Sequence, residues 1–178
     1  MEEASASYRK AIEQDPLHFG GYQGLGVVYR NMNRLSEAEH FLRKGLDLNP
    51  LRVGGRLFLA IVLAEQGSLA EALTEAIQEP AEWARLTALS FVHRAAGRQA
   101  ESDAALRELE AKHAADSAYQ IAALHAQRGD AEAVFHWLER AIAERDAGVA
   151  QVGVEPLFRP YQHDPRWSGI LKRVGLGG

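Results

Sequence analysis

Apolar and small residues recur along most of this chain at intervals of three and four, the spacing that lines them up on one face of an α-helix. Tyr22, Leu25 and Tyr29 form one such row, Trp83, Leu86 and Leu89 another, and Ala133, Trp137 and Ala141 a third. The longest apolar run, Leu57 to Ala64, falls far short of the roughly 20 residues a membrane-spanning helix needs, so it reads as a buried helix. Helices are predicted over Glu2 to Gln14, Ala70 to Gln78, Ala100 to Lys112, Asp116 to Arg128 and Ala131 to Glu144. Asn33, Gly67, Gly97 and Gly129 mark turns between them, because Gly and Asn best tolerate the left-handed backbone that ends a helix. Pro16, Pro50 and Pro80 stop the helices that precede them. After Asp146 the helical period lapses, and Gly153, Pro156 and Pro160 predict an extended arm. A last short helix follows, with Asp164 as N-cap, Pro165 at its first position and a stripe of Trp167, Ile170, Leu171 and Val174 ended by Gly175.

The pattern repeats. Glu3-Ala4, Glu37-Ala38 and Glu71-Ala72 are each displaced by 34 residues, and the same step relates Pro16 to Pro50, Leu25 to Leu59, Gly26 to Ala60 and Asn33 to Gly67. Small residues at Gly26, Ala38, Ala60 and Ala72 let two antiparallel helices approach closely, while Tyr22, Leu25, Tyr29 and Leu59 fill the seam. The order Tyr22-x-x-Leu25-Gly26-x-x-Tyr29, then Ala38 and Pro50, resembles the tetratricopeptide signature, with Tyr22 in place of its usual Trp. That resemblance implies an all-α fold: a right-handed superhelical α-solenoid of about four and a half antiparallel helix pairs over residues 1–145. Residues 146–178 are expected to form the arm and a capping helix packed on it. The stretch from Gly97 to Leu176 is similar to the C-terminal repeat region of bacterial signalling and regulatory proteins. The phrases that carry this are Gly97-Arg98-Gln99-Ala100-Glu101-Ser102-Asp103, Trp137-Leu138-Glu139-Arg140-Ala141, Glu155-Pro156-Leu157-Phe158 and Asp164-Pro165-Arg166-Trp167.

With 178 residues the chain has the size of one ordinary domain, and its net charge of −4 provides no field that attracts phosphate backbones or anionic lipid. Nucleic acid and membrane are therefore not expected as partners. The chain has no cysteine, so thiolate nucleophiles and sulfur-ligated metals are excluded. Its first residues, Met1-Glu2-Glu3-Ala4-Ser5, lack the basic and apolar regions of a signal peptide, and a cytoplasmic location is expected. The seven histidines, His18, His40, His93, His113, His125, His136 and His163, show no metal-motif spacing; His93 and His125 fall in the packing position that Tyr29 holds in its repeat. The serines lack a Gly-x-Ser-x-Gly context, and the carboxylates are scattered over solvated faces. Gly20-Gly21-Tyr22-Gln23-Gly24-Leu25-Gly26 has neither the spacing nor the preceding strand of a phosphate loop. No enzymatic activity, cofactor or metal is expected.

In a tetratricopeptide fold the first helix of each pair lines a concave groove, and helical phase assigns the inward residues. They are Gln23, Val27, Arg30 and Asn31; then Leu57, Ile61 and Glu65; then Thr87, Phe91 and Arg94; and finally Tyr119, Ala123 and Gln127. Co-chaperone relatives grip a C-terminal carboxylate with a Lys/Asn/Arg clamp. Gln23 and Val27 stand where the first Lys and Asn would be, so that ligand is not expected. An apolar floor with two arginines suits an amphipathic helix or extended segment with an acidic edge, anchored on Phe91 and Tyr119; the alternative is that the chain's own C-terminal arm fills part of this set. The expected function is a protein-interaction scaffold, and the alternative is a regulatory sensor region of a larger signalling or transcriptional protein. Helix Glu2 to Gln14 has the spacing of a second repeat helix through Ala4, Tyr8, Ala11 and Pro16. Its unmatched face is expected to be covered, by a homodimer contact or by an upstream repeat.

Overall fold

The computed structural model describes residues 1–177, and these contain helices and turns but no strand. The α-helices are α1 (Glu2–Gln14), α2 (Phe19–Asn31), α3 (Leu35–Leu48), α4 (Gly55–Glu65), α5 (Leu69–Gln78), α6 (Glu82–Ala95), α7 (Gln99–His113), α8 (Ala118–Arg128), α9 (Ala131–Glu144) and α10 (Trp167–Arg173). Helices adjacent in sequence pack against each other, α2 on α3, α4 on α5 and α8 on α9, as in an α-solenoid of helix pairs. The chain divides into two compact units, residues 1–102 and residues 103 onward, with the boundary inside α7.

Turn chemistry sets the pairing. Asn33, Gly67, Gly97 and Gly129 all have positive φ, from 59° to 86°, and each follows the first helix of a pair. A Cβ at Gly67, Gly97 or Gly129 would meet no heavy atom within 4 Å, so glycine is used there for its backbone and not for space. Gly26 is the opposite case. A Cβ there would lie 2.5 Å from Leu42 Cγ, so the missing side chain is what lets α2 and α3 come together over the buried Leu25, Ala38 and Leu42. In α6 the equivalent small position is Ser90, and it is tied to α7 by a reciprocal pair: Ser90 Oγ donates to Ser102 O at 3.1 Å and Ser102 Oγ donates to Ser90 O at 2.7 Å. Both hydroxyls are thereby satisfied in a fully buried seam. Helix α5 stops at Gln78 because Glu79, the residue before Pro80, is extended (φ −63°, ψ 122°).

Helix α1 packs on α2 as the second helix of a repeat would. Tyr8 lies where a Cβ on Gly24 would touch its ring at 2.4 Å, and Arg9 donates to the Tyr29 hydroxyl. None of the α1 residues is buried.

In the second unit the core is built from Ala118, Tyr119, Ala122, Val134, Phe135, Leu138, Phe158, Tyr161, Trp167 and Ile170. The expected extended arm is instead two short 3-10 helices, Ala147–Gln151 and Pro156–Tyr161. Acidic caps start both: Asp146 Oδ1 accepts from Gly148 N at 2.8 Å and Glu155 Oε1 accepts from Leu157 N at 3.2 Å. Pro156, whose φ of about −65° and missing N–H suit the first turn of a helix, opens the second 3-10 helix. Helix α10 begins at Trp167; Asp164 accepts from Arg166 N at 2.9 Å, and Gly175 (φ 77°) ends the helix.

Candidate peptide-binding face

Ten of the thirteen inward residues lie in the first unit and three in the second. On α2, Gln23 and Val27 are half-buried, while Arg30 and Asn31 are buried. Helix α4 is apolar nearly all round, which buries it: Leu57 and Ile61 are closed off, and only Glu65, at its last turn, reaches solvent. On α6, Thr87 donates its hydroxyl to Trp83 O at 2.8 Å and Phe91 is 4% exposed. Phe91 is therefore a core residue and not an open anchor.

Both arginines of the expected acidic-edge recognition are engaged. Arg30 Nε lies 3.0 Å and 3.1 Å from the two Glu65 carboxylate oxygens, and its Nη2 lies 2.8 Å from Oε1. Arg94 donates to Gln99 Oε1. The inner face of α4 thus supplies the counter-charge for α2 within the protein.

In the second unit Tyr119 meets Phe158 edge-on, with ring centroids 5.7 Å apart at 75°, and its backbone N–H donates to Asp146 Oδ2 at 3.0 Å. Tyr161 donates its hydroxyl to Ala126 O at 3.2 Å, and burial raises its pKa above the ordinary phenol range. Ala123 packs on the same core and Gln127 is half-buried. The inner surface of α8 is thus occupied by the chain's own 3-10 segment, the alternative the sequence left open, and Tyr119 is not an open anchor.

The two in-frame histidines differ. His125 Nε2 lies 2.9 Å from Glu110 Oε1 and its Nδ1 lies 3.8 Å from Asp130 Oδ2, whereas His93 lines a cavity in the first unit. Among the described residues there is no group of three or more His, Cys, Asp or Glu placed to hold a metal, and no helix long and apolar enough to cross a membrane.

The structure also brings forward residues absent from the sequence-based site. Leu17, Leu51, Val53 and Ile77, all exposed, sit at or beside the loops that lead from a second helix to the next first helix. The signal that could have found two of them is the recurrence of Pro16-Leu17-His18-Phe19-Gly20-Gly21 as Pro50-Leu51-Arg52-Val53-Gly54-Gly55.

The tetratricopeptide-repeat family profile matches residues 7–40. No curated protein matches the sequence. Among solved structures, MamA resembles the chain with a TM-score of 0.53 at 14% identity, over 79% of this chain and 86% of that one. YrrB, a TPR protein with an unusual peptide-binding site, resembles it with a TM-score of 0.53 at 14% identity, over 96% of this chain and 92% of that one. At such identity the likeness is one of fold. The family profile thus covers one repeat, residues 7–40, and the neighbours show an α-solenoid fold of tetratricopeptide type.

Proposed function

We propose that this chain is a protein-interaction scaffold that holds a peptide or short helix against the inner face of its first helices. The observation that carries the reading is the half-open surface of α2. Gln23 and Val27 are the inward pair in the first unit that stays half-exposed outside any ion pair; the Gln23 amide oxygen accepts from Arg52 Nε at 3.4 Å, which leaves its N–H groups to face a ligand. An apolar residue beside an amide, on a rigid helix, offers contact area and a hydrogen bond to a passing backbone. Peptides selected from a random displayed library against the intact chain should lose about tenfold in affinity on Val27→Glu, with the melting temperature unchanged. Full retention of binding by that variant would move the site off this face. The reading assigns no reaction to the chain.

A second reading, a regulatory sensor region, has one observation in its favour. A cavity of about 300 Å³ is lined by Leu69, Leu73, Val92, His93 and Arg98, and His93 Nδ1 is buried with no hydrogen-bond partner among the described residues. An apolar wall with an imidazole and a guanidinium among its lining side chains suits a small carboxylic acid. Thermal stabilisation by a panel of such acids, lost on His93→Phe, tests it.

A further inference from the structure

Leu51 and Leu17 are the most exposed large apolar side chains described, at 76% and 71%. They hold the same place one repeat apart, each after a proline and before a basic residue, His18 or Arg52. The second glycine of each loop has a packing reason: a Cβ on Gly21 would lie 2.9 Å from Ile12, and one on Gly55 2.8 Å from Leu46. The prolines end helices. The leucines have no such reason, since both point to solvent, and Asp15 Oδ1, which accepts from Leu17 N at 3.0 Å, fixes the first loop that way.

The two loops form one surface. The Arg52 guanidinium lies 5.1 Å from the centroid of the Phe19 ring, and its Nε donates to Gln23 Oε1 at 3.4 Å. Val53, also exposed, extends the apolar area. Among the described residues Arg52 pairs with no carboxylate. The result is an apolar ridge beside a guanidinium whose charge no carboxylate among the described residues neutralises.

We propose that this ridge docks an amphipathic protein segment with an acidic edge, its apolar stripe on Leu17 and Leu51 and a carboxylate on Arg52. It goes beyond the reading for the inner face, because these residues lie on the inter-repeat loops. Charge argues for this occupant. A twofold contact with a second copy would set Arg52 near its own counterpart. An anionic bilayer would press negative charge on the exposed Asp15 and Asp47 as well as on Arg52, whereas a peptide places its carboxylate at Arg52 alone.

The test uses the intact chain and a fluorescent synthetic peptide of about four helical turns, Leu along one face and Glu beside it, with a twin carrying Lys for Glu. The Glu peptide should bind at least about tenfold tighter than its twin, and Arg52→Glu should reverse that preference. Leu17→Ser with Leu51→Ser should weaken the Glu peptide by about tenfold without lowering the melting temperature, since both side chains are exposed. Val27→Glu should leave this binding unchanged, which keeps the ridge and the inner face distinguishable. Charge-blind binding, no binding of the Glu peptide, or a loss on Val27→Glu with none on the leucine variants overturns the proposal. So does tighter binding to anionic vesicles, or a concentration-dependent dimer that the leucine substitutions abolish.

Discussion

The carboxylate of Glu79 accepts a hydrogen bond from the backbone N–H of Gly54 at 3.0 Å, and its other oxygen accepts from Leu57 N at 3.2 Å. A residue from the end of α5 therefore caps the start of α4, whose own N-cap, Gly54, has no side chain to do so. Glu79 is 1% exposed, and Ala81 N donates to the same carboxylate at 3.3 Å, so the charge is held by amides and by the positive end of the helix. Glu79→Ala should lower stability by about 2–3 kcal/mol by stranding those donors, with Glu79→Gln costing less. Urea unfolding gives the difference directly. An unchanged midpoint for the alanine variant would mean water replaces the cap without loss.

Gly26 and Leu42 form a shape-coupled pair, so their substitutions should not add. Gly26→Ala places a methyl group 2.5 Å from Leu42 Cγ and should destabilise by about 1–3 kcal/mol. Adding Leu42→Ala opens the space that methyl needs, and the double variant should be more stable than the sum of the single losses. A strictly additive cycle from chemical denaturation would show that the helices part instead of the side chains adjusting.

Phe158 is fully buried, meeting Tyr119 on one side and Trp167, 6.0 Å between ring centroids, on the other. Phe158→Ala should cost about 3–5 kcal/mol and red-shift the tryptophan emission, and Tyr119→Glu should unfold this unit and not merely remove a contact surface. Native emission with unchanged stability in the alanine variant would make the 3-10 segment an optional cover.

The helices and their turns were legible because their causes are local. Gly67, Gly97 and Gly129 announce left-handed turns wherever the neighbouring helices lie, and the early Pro80 announces a short α5. The inner face was legible as a row of residues but not as a surface. Whether Phe91 or Leu57 is open depends on what packs over it, and helical phase is silent on that. The partner of Arg30 lies 35 residues away on α4, so no local pattern identifies it. The 3-10 helices after Asp146 are not legible in the sequence, because Gly and Pro signal a break in α-helix equally well for a 3-10 helix and an extended strand.

Asp164 gives a pH prediction. Hydrogen bonds from the Arg166 side chain and backbone hold its carboxyl down to about 2. A folded value below the unfolded one, roughly 3.9, means the stabilising contribution is present above that pH and disappears as pH falls through about 2. Arg166→Ala should raise the Asp164 titration midpoint toward the ordinary carboxylate range in a carboxyl-detected NMR titration. A midpoint that stays put would assign the shift to the local backbone.

Arg30 and Glu65 decide between a ligand clamp and an internal strut. The sequence places both on the inner face, where a cation suggests an acidic partner, yet Arg30 is 4% exposed and its guanidinium already spans both oxygens of the Glu65 carboxylate. Removing one member of a buried pair leaves the other uncompensated, while replacing both with apolar residues restores packing without a stranded charge. Because Glu65 sits at the open end of α4, part of that penalty is relieved by water, and Arg30→Ala should cost about 2–4 kcal/mol. Arg30→Met with Glu65→Leu should return close to the original stability, and peptide affinity, measured well below the unfolding midpoint, should be unaltered in the double variant. If Arg30→Ala instead melts normally but no longer binds selected peptides, the guanidinium is released to the ligand in solution, and its bond to Glu65 is only the resting state of the site.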